Sequence, residues 1–264
     1  MNSAPNPRRH FTAPPVTIGE RPPIVPPFLS VIVPAYNERD RLPATLREVA
    51  AYFREPVEII VADDGSNDGT AEMAERQLAP TGHPYAVIRH EENHGKGCAA
   101  RLGMLHARGK IFLIIDADNA TPIPEWEKLR RGLEDGADIV IGSRAVPDAR
   151  IPVAQPWYRR PLGPAYNLLV QVVLFGGIRD TQCGFKAYRG EVARELFSRQ
   201  RIDGFTFDPE VIFLALRRGY RVDEVGVTWN DQPDSRVSVL RDSLRMFWDL
   251  LRVRLNAMRG AYEF

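Results

Sequence analysis

The sequence has few cysteines and no long apolar run, and both absences exclude classes of protein. Only two of its 264 residues are cysteines, Cys98 and Cys183, and they lie far apart. That spacing offers neither a zinc-binding pattern nor a disulfide framework, and it favours a reducing compartment. No stretch reaches the roughly 18 apolar residues of a membrane-spanning helix. Residues 1–27 lack the apolar core of a signal peptide.

An excess of charge of one sign is also missing. The chain has 35 lysines and arginines against 34 aspartates and glutamates, for a formal net charge of +1. This balance gives no overall field that would attract nucleic acid. Glycine-rich phosphate loops are absent too, because the first apolar run ends in Pro34, Ala35 and Tyr36 and no P-loop follows. These absences weaken assignment to the dehydrogenases or the phosphotransferases.

Apolar runs rich in β-branched residues are present, and each ends in a polar turn. They cover residues 28–37, 57–65, 85–90, 110–118 and 137–144. Helical periods occupy residues 40–53, 68–79, 97–108 and 124–135. Strands without a polar face that alternate with single helices predict an α/β fold with a mainly parallel central sheet over about 28–145.

The run "IFLIIDADNATP" (111–122) leads from an apolar strand straight into Asp116 and Asp118. In open α/β sheets the ligand lies beyond the carboxyl ends of the strands, which is where these acids are expected. One or two carboxylates, with phosphate oxygens of a substrate, suit Mg²⁺ or Mn²⁺. A solvated turn in which Asp118 caps the next helix is the alternative. The paired acids Asp63 and Asp64 at another strand end favour a nucleotide-diphosphate site.

Several motifs in order resemble those of family 2 inverting glycosyltransferases, which have the GT-A fold. They are "SVIVPAYNE", "VADDGSNDGT", "NHGKGCAARLG", "DADNATP" and "GSR". The resemblance covers about 29–230. The stretches "GIRDTQCGFKAYRGEVA" and "FDPEVIFLALRRGYRVDEVGVTW" look closest to dolichyl-phosphate β-glucosyltransferases, with dolichyl-phosphate mannose synthases next. The resemblance implies a single Rossmann-like GT-A domain that transfers a sugar from a nucleotide donor to a polyprenyl phosphate.

The resemblance also implies roles for particular residues. Nucleotide-binding roles fall on Pro34, Tyr36, Glu38, Asp63, Asp64, Lys96, Asp116 and Asp118. Among these, Asp63 matches an acid that contacts the base, and Asp116 and Asp118 match the ligands of Mg²⁺ or Mn²⁺. Arg144 and Lys186 match cations that face phosphate. A third metal ligand is not indicated, because Ala120 stands where mannose synthases have glutamine.

The acceptor is the main point that the sequence leaves open. A phosphomonoester is largely dianionic at pH 7 and needs cations for positioning more than it needs a base. A hydroxyl acceptor would need a general base, for which Asp208 is the candidate. Asp208 as the N-cap of a helix over 208–218 is the structural alternative. Three hypotheses therefore remain: transfer of glucose from UDP-glucose to polyprenyl phosphate, or of mannose from GDP-mannose; transfer to a soluble or glycan hydroxyl; and a non-catalytic nucleotide-binding module.

The expected organisation has three parts. Residues 1–27 are a proline-rich flexible tail, 28–230 the GT-A domain, and 231–264 an amphipathic helical segment. Within the domain, 28–145 is the nucleotide-sugar half and 146–230 the acceptor half. The apolar stretch 161–177, preceded by Arg159 and Arg160, and the arginine-rich C-terminal helix predict peripheral attachment to the cytosolic face of a membrane. Packing of these helices on the domain, or across a homodimer, is the alternative.

Overall fold

The computed structural model describes residues 14–153, 162–231 and 239–263, and the predicted flanking residues Arg159 and Arg160 lie outside them. Within this part the chain forms ten strands. These are β1 (Val16–Arg21), β2 (Leu29–Ala35), β3 (Glu58–Asp63), β4 (Tyr85–Arg89), β5 (Ile111–Ile114), β6 (Ile139–Ser143), β7 (Arg150–Val153), β8 (Lys186–Arg189), β9 (Val222–Gly226) and β10 (Thr228–Asn230). Eight of them form one sheet in the order β1-β4-β3-β2-β5-β8-β6-β9, and β7 pairs with β10.

Eight α-helices accompany the strands in the described residues. They are α1 (Leu42–Tyr52), α2 (Thr70–Leu78), α3 (Lys96–His106), α4 (Trp126–Glu134), α5 (Leu162–Val173), α6 (Gly190–Arg199), α7 (Phe207–Arg218) and α8 (Val239–Met258). Alternate residues of the central strands face opposite cores: Val31 belongs to the core that contains α1, and Ile32 to the core that contains residues of α6 and α7. Burial on both faces explains why these strands carry no polar alternation.

The predicted α/β fold with a mainly parallel sheet is confirmed. The pairs β4–β3, β3–β2, β2–β5 and β6–β9 are parallel. One segment of the predicted flexible tail, residues 16–21, is instead the strand β1, antiparallel to β4. Its β-branched Val16, Thr17 and Ile18 favour a strand, and an edge position tolerates the prolines around it. Residues 1–13 lie outside the described part.

The topology brings the predicted site residues to one edge of the sheet. Strands β3, β2 and β5 are neighbours and parallel, so the turns that follow them meet at their shared carboxyl edge. Strand β8 runs antiparallel to β5, and its first residue, Lys186, pairs with Ile114 at the end of β5. An early residue of one strand and the acids after another therefore lie side by side.

Candidate active site

The acids after β5 meet the first residue of α3. The Lys96 ammonium donates to Oδ1 of Asp116 over 2.6 Å, with both side chains partly accessible to solvent. Burial raises the pKa of Asp116, but the positive charges of Lys96, Lys186 and Arg144 together hold that pKa below its usual range. Burial and repulsion by Asp116 raise the pKa of Asp118. The carboxylate of Asp118 accepts the backbone N–H of Ala120 over 3.1 Å. A bound cation would stabilise its charged form.

Arg144, directly after β6, is held by the carboxylate of Asp180. Its Nε and a terminal nitrogen donate to the two oxygens of Asp180 over 2.7 and 2.9 Å. Asp180 is buried, and although burial raises its pKa, the guanidinium of Arg144 holds that pKa low. The Arg144 guanidinium also lies 5.2 Å from the centre of the Trp229 ring. Fixed in this way and still one-quarter exposed, it presents a preorganised positive charge.

Lys186 and Asp208 form a third ion pair, which is buried. The Lys186 ammonium donates over 2.5 Å to Asp208 and over 2.5 Å to the carbonyl oxygen of Cys183. The Lys186 side chain is 0% exposed and that of Asp208 5% exposed. Thr206, not Asp208, occupies the N-cap of α7, so the capping alternative for Asp208 is wrong. Burial raises the pKa of Asp208 against the opposing effect of Lys186 and Lys96.

The acids after β3 line the turn at the far side of the edge. Asp63 accepts the backbone N–H of Ser66 with Oδ1, and within the described residues its buried Oδ2 has no hydrogen-bond partner. Asp64 accepts the backbone N–H groups of His94 and Gly95 over 3.1 and 2.6 Å. Burial raises the pKa of Asp64 to about 6. Asp64 thus ties the turn after β3 to the loop that precedes Lys96.

The turn after β2 contributes three predicted residues of different accessibility. Pro34 is buried within β2, whereas Tyr36 is 39% exposed at the sheet edge. The Glu38 carboxylate pairs with Arg41, and the Glu38 backbone N–H donates to the Thr70 hydroxyl over 2.8 Å. Of the three side chains, that of Tyr36 is the most exposed to solvent.

The two acids of the D-x-D motif fit a divalent cation. Their donors are hard carboxylate oxygens, the type that Mg²⁺ and Mn²⁺ prefer. The Asp116 carboxylate packs directly against Gly184 and needs a glycine there, because a Cβ at position 184 would lie 2.2 Å from Cγ of Asp116. A neighbouring group, Asp64 with His90 and Cys98, has ligand atoms within 4.8 Å of one another. Its nitrogen and sulfur atoms suit softer metals, so the D-x-D acids are the better match to the predicted ion.

The sequence of this chain matches a known family over more than half of its length. Residues 30–197 match the family model "Glycosyl transferase family 2". The chain belongs to glycosyl transferase family 2. The dolichyl-phosphate β-glucosyltransferase of Homo sapiens is 36% identical over 250 residues, which cover 89% of this chain and 77% of that protein. The protein of the same name from Saccharomyces cerevisiae is 31% identical over 256 residues, covering 89% and 77%.

Solved structures show the same fold at lower identity. Mannosyl-3-phosphoglycerate synthase from Rubrobacter xylanophilus has a TM-score of 0.62 and 23% identity, covering 89% of this family 2 chain and 75% of its own. A mannosyltransferase from Pyrobaculum calidifontis, in complex with GDP-mannose and Mn²⁺, has a TM-score of 0.57 and 21% identity, covering 96% and 68%. The GT-A fold and the glycosyltransferase class predicted from the sequence are confirmed.

The structure brings six predicted residues into one charged cluster. Lys96 interacts electrostatically with Asp116, Asp208 and Asp118. Asp116 interacts in the same way with Lys96, Lys186 and Arg144. Asp64 joins it through the loop before Lys96, whereas the Asp63 carboxylate bonds to Ser66 and Glu38 is bound to Arg41. Sequence reasoning missed Asp180 as the partner of Arg144 and Gly184 as the neighbour of Asp116. The glycine in "CGFK" was the available signal for the second. The roles assigned to individual residues stay predictions.

Proposed function

We propose that this protein transfers glucose from UDP-glucose to a polyprenyl phosphate of the dolichyl type, with inversion at the sugar. The observation that carries the proposal is the joining of the Lys96–Asp116 pair, Asp118 and the fixed Arg144 in one cluster. It occurs in a chain that is 31–36% identical to proteins named dolichyl-phosphate β-glucosyltransferase. When a nucleoside diphosphate leaves, negative charge develops on its phosphate oxygens. The positive charges of Lys96 and Arg144 in this cluster stabilise it.

The donor occupies the turns at the carboxyl edge. Asp63 is buried at the start of the turn that receives the base, with one oxygen that has no partner in the described residues. Lys96 opens α3, so its ammonium and the positive helix N-terminus act together on the donor. Asp116 and Asp118 would hold Mg²⁺ or Mn²⁺, which supplies Lewis-acid stabilisation of the diphosphate when bound. Arg144 contacts the phosphate groups, where its planar guanidinium gives two parallel hydrogen bonds.

The acceptor is a phosphate in this proposal, because the candidate base is poorly placed for a hydroxyl. Asp208 is buried and already accepts a hydrogen bond from Lys186, so a proton taken from an acceptor would disrupt that pair. A phosphate dianion brings its own charged nucleophile and requires positioning alone. Lys186 has no exposed atom, and it therefore acts by fixing Asp208 beneath the site and adding positive charge near Asp116. Arg144 is the accessible cation for the acceptor phosphate.

Peripheral membrane attachment is part of the proposal. No helix of the described residues is long and apolar enough to cross a membrane. Helices α5 and α8 pack on each other and expose large apolar side chains, with Leu168 and Val172 on α5 and Leu244 and Trp248 on α8. Arginines are exposed along α8 as well. An apolar face with flanking cations suits a bilayer interface, where a polyprenyl chain resides.

The donor is tested by incubating the pure protein with UDP-glucose, UDP-galactose, GDP-mannose or GDP-glucose, each with Mn²⁺ and a short polyprenyl phosphate. We expect UDP-glucose to give the fastest product formation by mass spectrometry. Faster transfer from GDP-mannose would replace the glucose assignment with the mannose one. Flotation with anionic liposomes tests attachment: binding at low salt that weakens as salt rises supports it, and no binding at low salt contradicts it.

A further inference from the structure

The loop that carries Lys96 is clamped by a second loop, residues 200–204, which follows α6. The carbonyl oxygen of Asp203 accepts the backbone N–H groups of Gly97 and Cys98 over 2.8 and 3.2 Å. The Gln200 side-chain amide donates to the carbonyl oxygen of Gly97 over 2.8 Å. Gly97 has no room for a side chain, since a Cβ would lie 2.6 Å from Cβ of Phe207. The first turn of α3, and with it Lys96, therefore takes its position from the 200–204 loop.

The 200–204 loop is held in turn by a buried carboxylate on α7. Glu210 is 0% exposed and accepts the backbone N–H groups of Arg201 and Ile202 over 3.1 and 2.9 Å. Its remaining donor comes from the end of the chain, because the Tyr262 hydroxyl donates to Oε1 of Glu210. Two further contacts join the same segments: Arg201 donates to the carbonyl oxygen of Ala261 over 2.8 Å, and Arg199 to that of Glu263 over 2.9 Å.

We infer that Tyr262 is a positioning residue for the donor site: through Glu210 it fixes the 200–204 loop, and through that loop the first turn of α3 and Lys96. The inference rests on the proposed function for its consequence, the affinity for the nucleotide donor. The Tyr262 hydroxyl is one of three groups that donate to the Glu210 carboxylate, and loss of a donor to a buried carboxylate is costly. The Glu210 carboxylate can recover that loss by rearranging the loop or by taking up a proton, and either change alters its hold on Arg201 and Ile202.

Tyr262→Phe is the test, because it removes the hydroxyl and keeps the buried ring. Tyr220→Phe is the matched control: the Tyr220 hydroxyl donates to the Glu195 carboxylate over 2.5 Å, away from the residues of the site. Two quantities are measured in the full-length variants. One is the dissociation constant for UDP in the presence of Mn²⁺. The other is the hydrogen-exchange rate of the Gly97 and Cys98 amides without nucleotide, with melting temperature as a check on folding.

We expect Tyr262→Phe to weaken UDP binding about three- to tenfold. The Gly97 and Cys98 amides should exchange faster, and in turnover the donor KM should rise more than kcat falls. Tyr220→Phe should leave UDP affinity, exchange at these amides and the donor KM unchanged. A Tyr262→Phe protein that melts lower but keeps wild-type UDP affinity and wild-type exchange at these amides would overturn the inference. Wild-type protein that does not bind UDP, with exchange still responding to Tyr262→Phe, would overturn the proposed function and leave the positioning role standing.

Discussion

The ammonium of Lys96 lies 2.6 Å from Oδ1 of Asp116, so the first residue of α3 is joined to the acid that follows β5. Each residue comes from a different strand–helix unit. The pair joins the loop that begins α3 to the turn that follows β5. Because both side chains remain partly exposed, the pair is fixed in place and still accessible to a ligand. A donor diphosphate can therefore meet a cation and an acid whose relative position is set beforehand.

Lys96→Met should lower kcat/KM for the donor about ten- to a hundredfold, the equivalent of one charge-assisted hydrogen bond. The matched control is Lys128→Met, which removes a lysine paired with Glu125 over 2.7 Å and lying outside the charged cluster. Steady-state kinetics with varied donor concentration measure both variants. Equal effects of the two substitutions would show that the Lys96 charge has no specific role.

Asp118→Asn should abolish transfer and the Mn²⁺-dependent part of UDP binding, because it removes a charged oxygen ligand of the cation. Thermal stability should stay near that of wild type, since the described structure gives Asp118 one backbone partner, Ala120. Calorimetric titration with UDP, with and without Mn²⁺, measures the loss. Asp223→Asn, at a surface pair with Arg221, is the control. Full activity of Asp118→Asn, or of wild type in EDTA, would contradict the metal assignment.

Asp208→Asn should remain measurably active towards a polyprenyl phosphate, whereas Arg144→Ala should lose about ten- to a hundredfold in turnover. Asp208→Asn should instead cost stability, about 3 kcal/mol, because it leaves the buried Lys186 ammonium without its charged partner. Lys186→Met should cost a similar amount, and the double variant should cost less than the sum. Denaturant unfolding and turnover separate the two effects. An inactive Asp208→Asn beside a mild Arg144→Ala would point to a hydroxyl acceptor.

The stability contribution of Glu210 should fall as pH rises. Burial raises its pKa from 4.5 to about 7, so the folded state favours the protonated acid. The contribution is present below about pH 4.5 and is lost towards pH 7, by roughly 3 kcal/mol. The unfolding free energy of wild type minus that of Glu210→Gln, measured between pH 5 and pH 8, should show this decline.

Glu195→Gln serves as the control for that measurement, because the contribution of Glu195 should stay constant between pH 5 and pH 8 and be lost only below about pH 4.5. The hydrogen bond from Tyr220 lowers the pKa of Glu195, so its contribution is lost as pH falls. A difference between wild type and Glu210→Gln that stays constant over the same pH range would contradict the raised pKa of Glu210.

The parts of the site that the sequence predicts are those that lie within one strand and its turn. Asp116 and Asp118 follow an apolar run, and Lys96 lies in a glycine-rich turn, so each can be read locally. The partner of Arg144 cannot, because Asp180 is 36 residues away and no local pattern distinguishes it from other aspartates. The hydrogen bond from Tyr262 to Glu210 joins residues 52 positions apart, and no local sequence pattern indicates it either.

The fold was predictable to the same degree and for the same reason. Parallel strands buried on both faces give apolar runs, and these predicted the sheet. Strand β1 was missed because prolines flank its short β-branched run, and its pairing with β4 depends on a distant edge of the sheet. The antiparallel insertion of β8 between β5 and β6 was also not evident, since strand order is set by tertiary packing.

The most direct test of the central claim compares two acceptors that differ only in the phosphate. The protein is incubated with ¹³C-labelled UDP-glucose, Mn²⁺ and either a polyprenyl phosphate or the corresponding free polyprenol. The masses of the lipid products are then measured by mass spectrometry. We predict a single labelled hexose added to the polyprenyl phosphate and none to the polyprenol. Labelled hexose on the free polyprenol, or on neither lipid while a soluble hydroxyl acceptor is glucosylated, would contradict transfer to a polyprenyl phosphate.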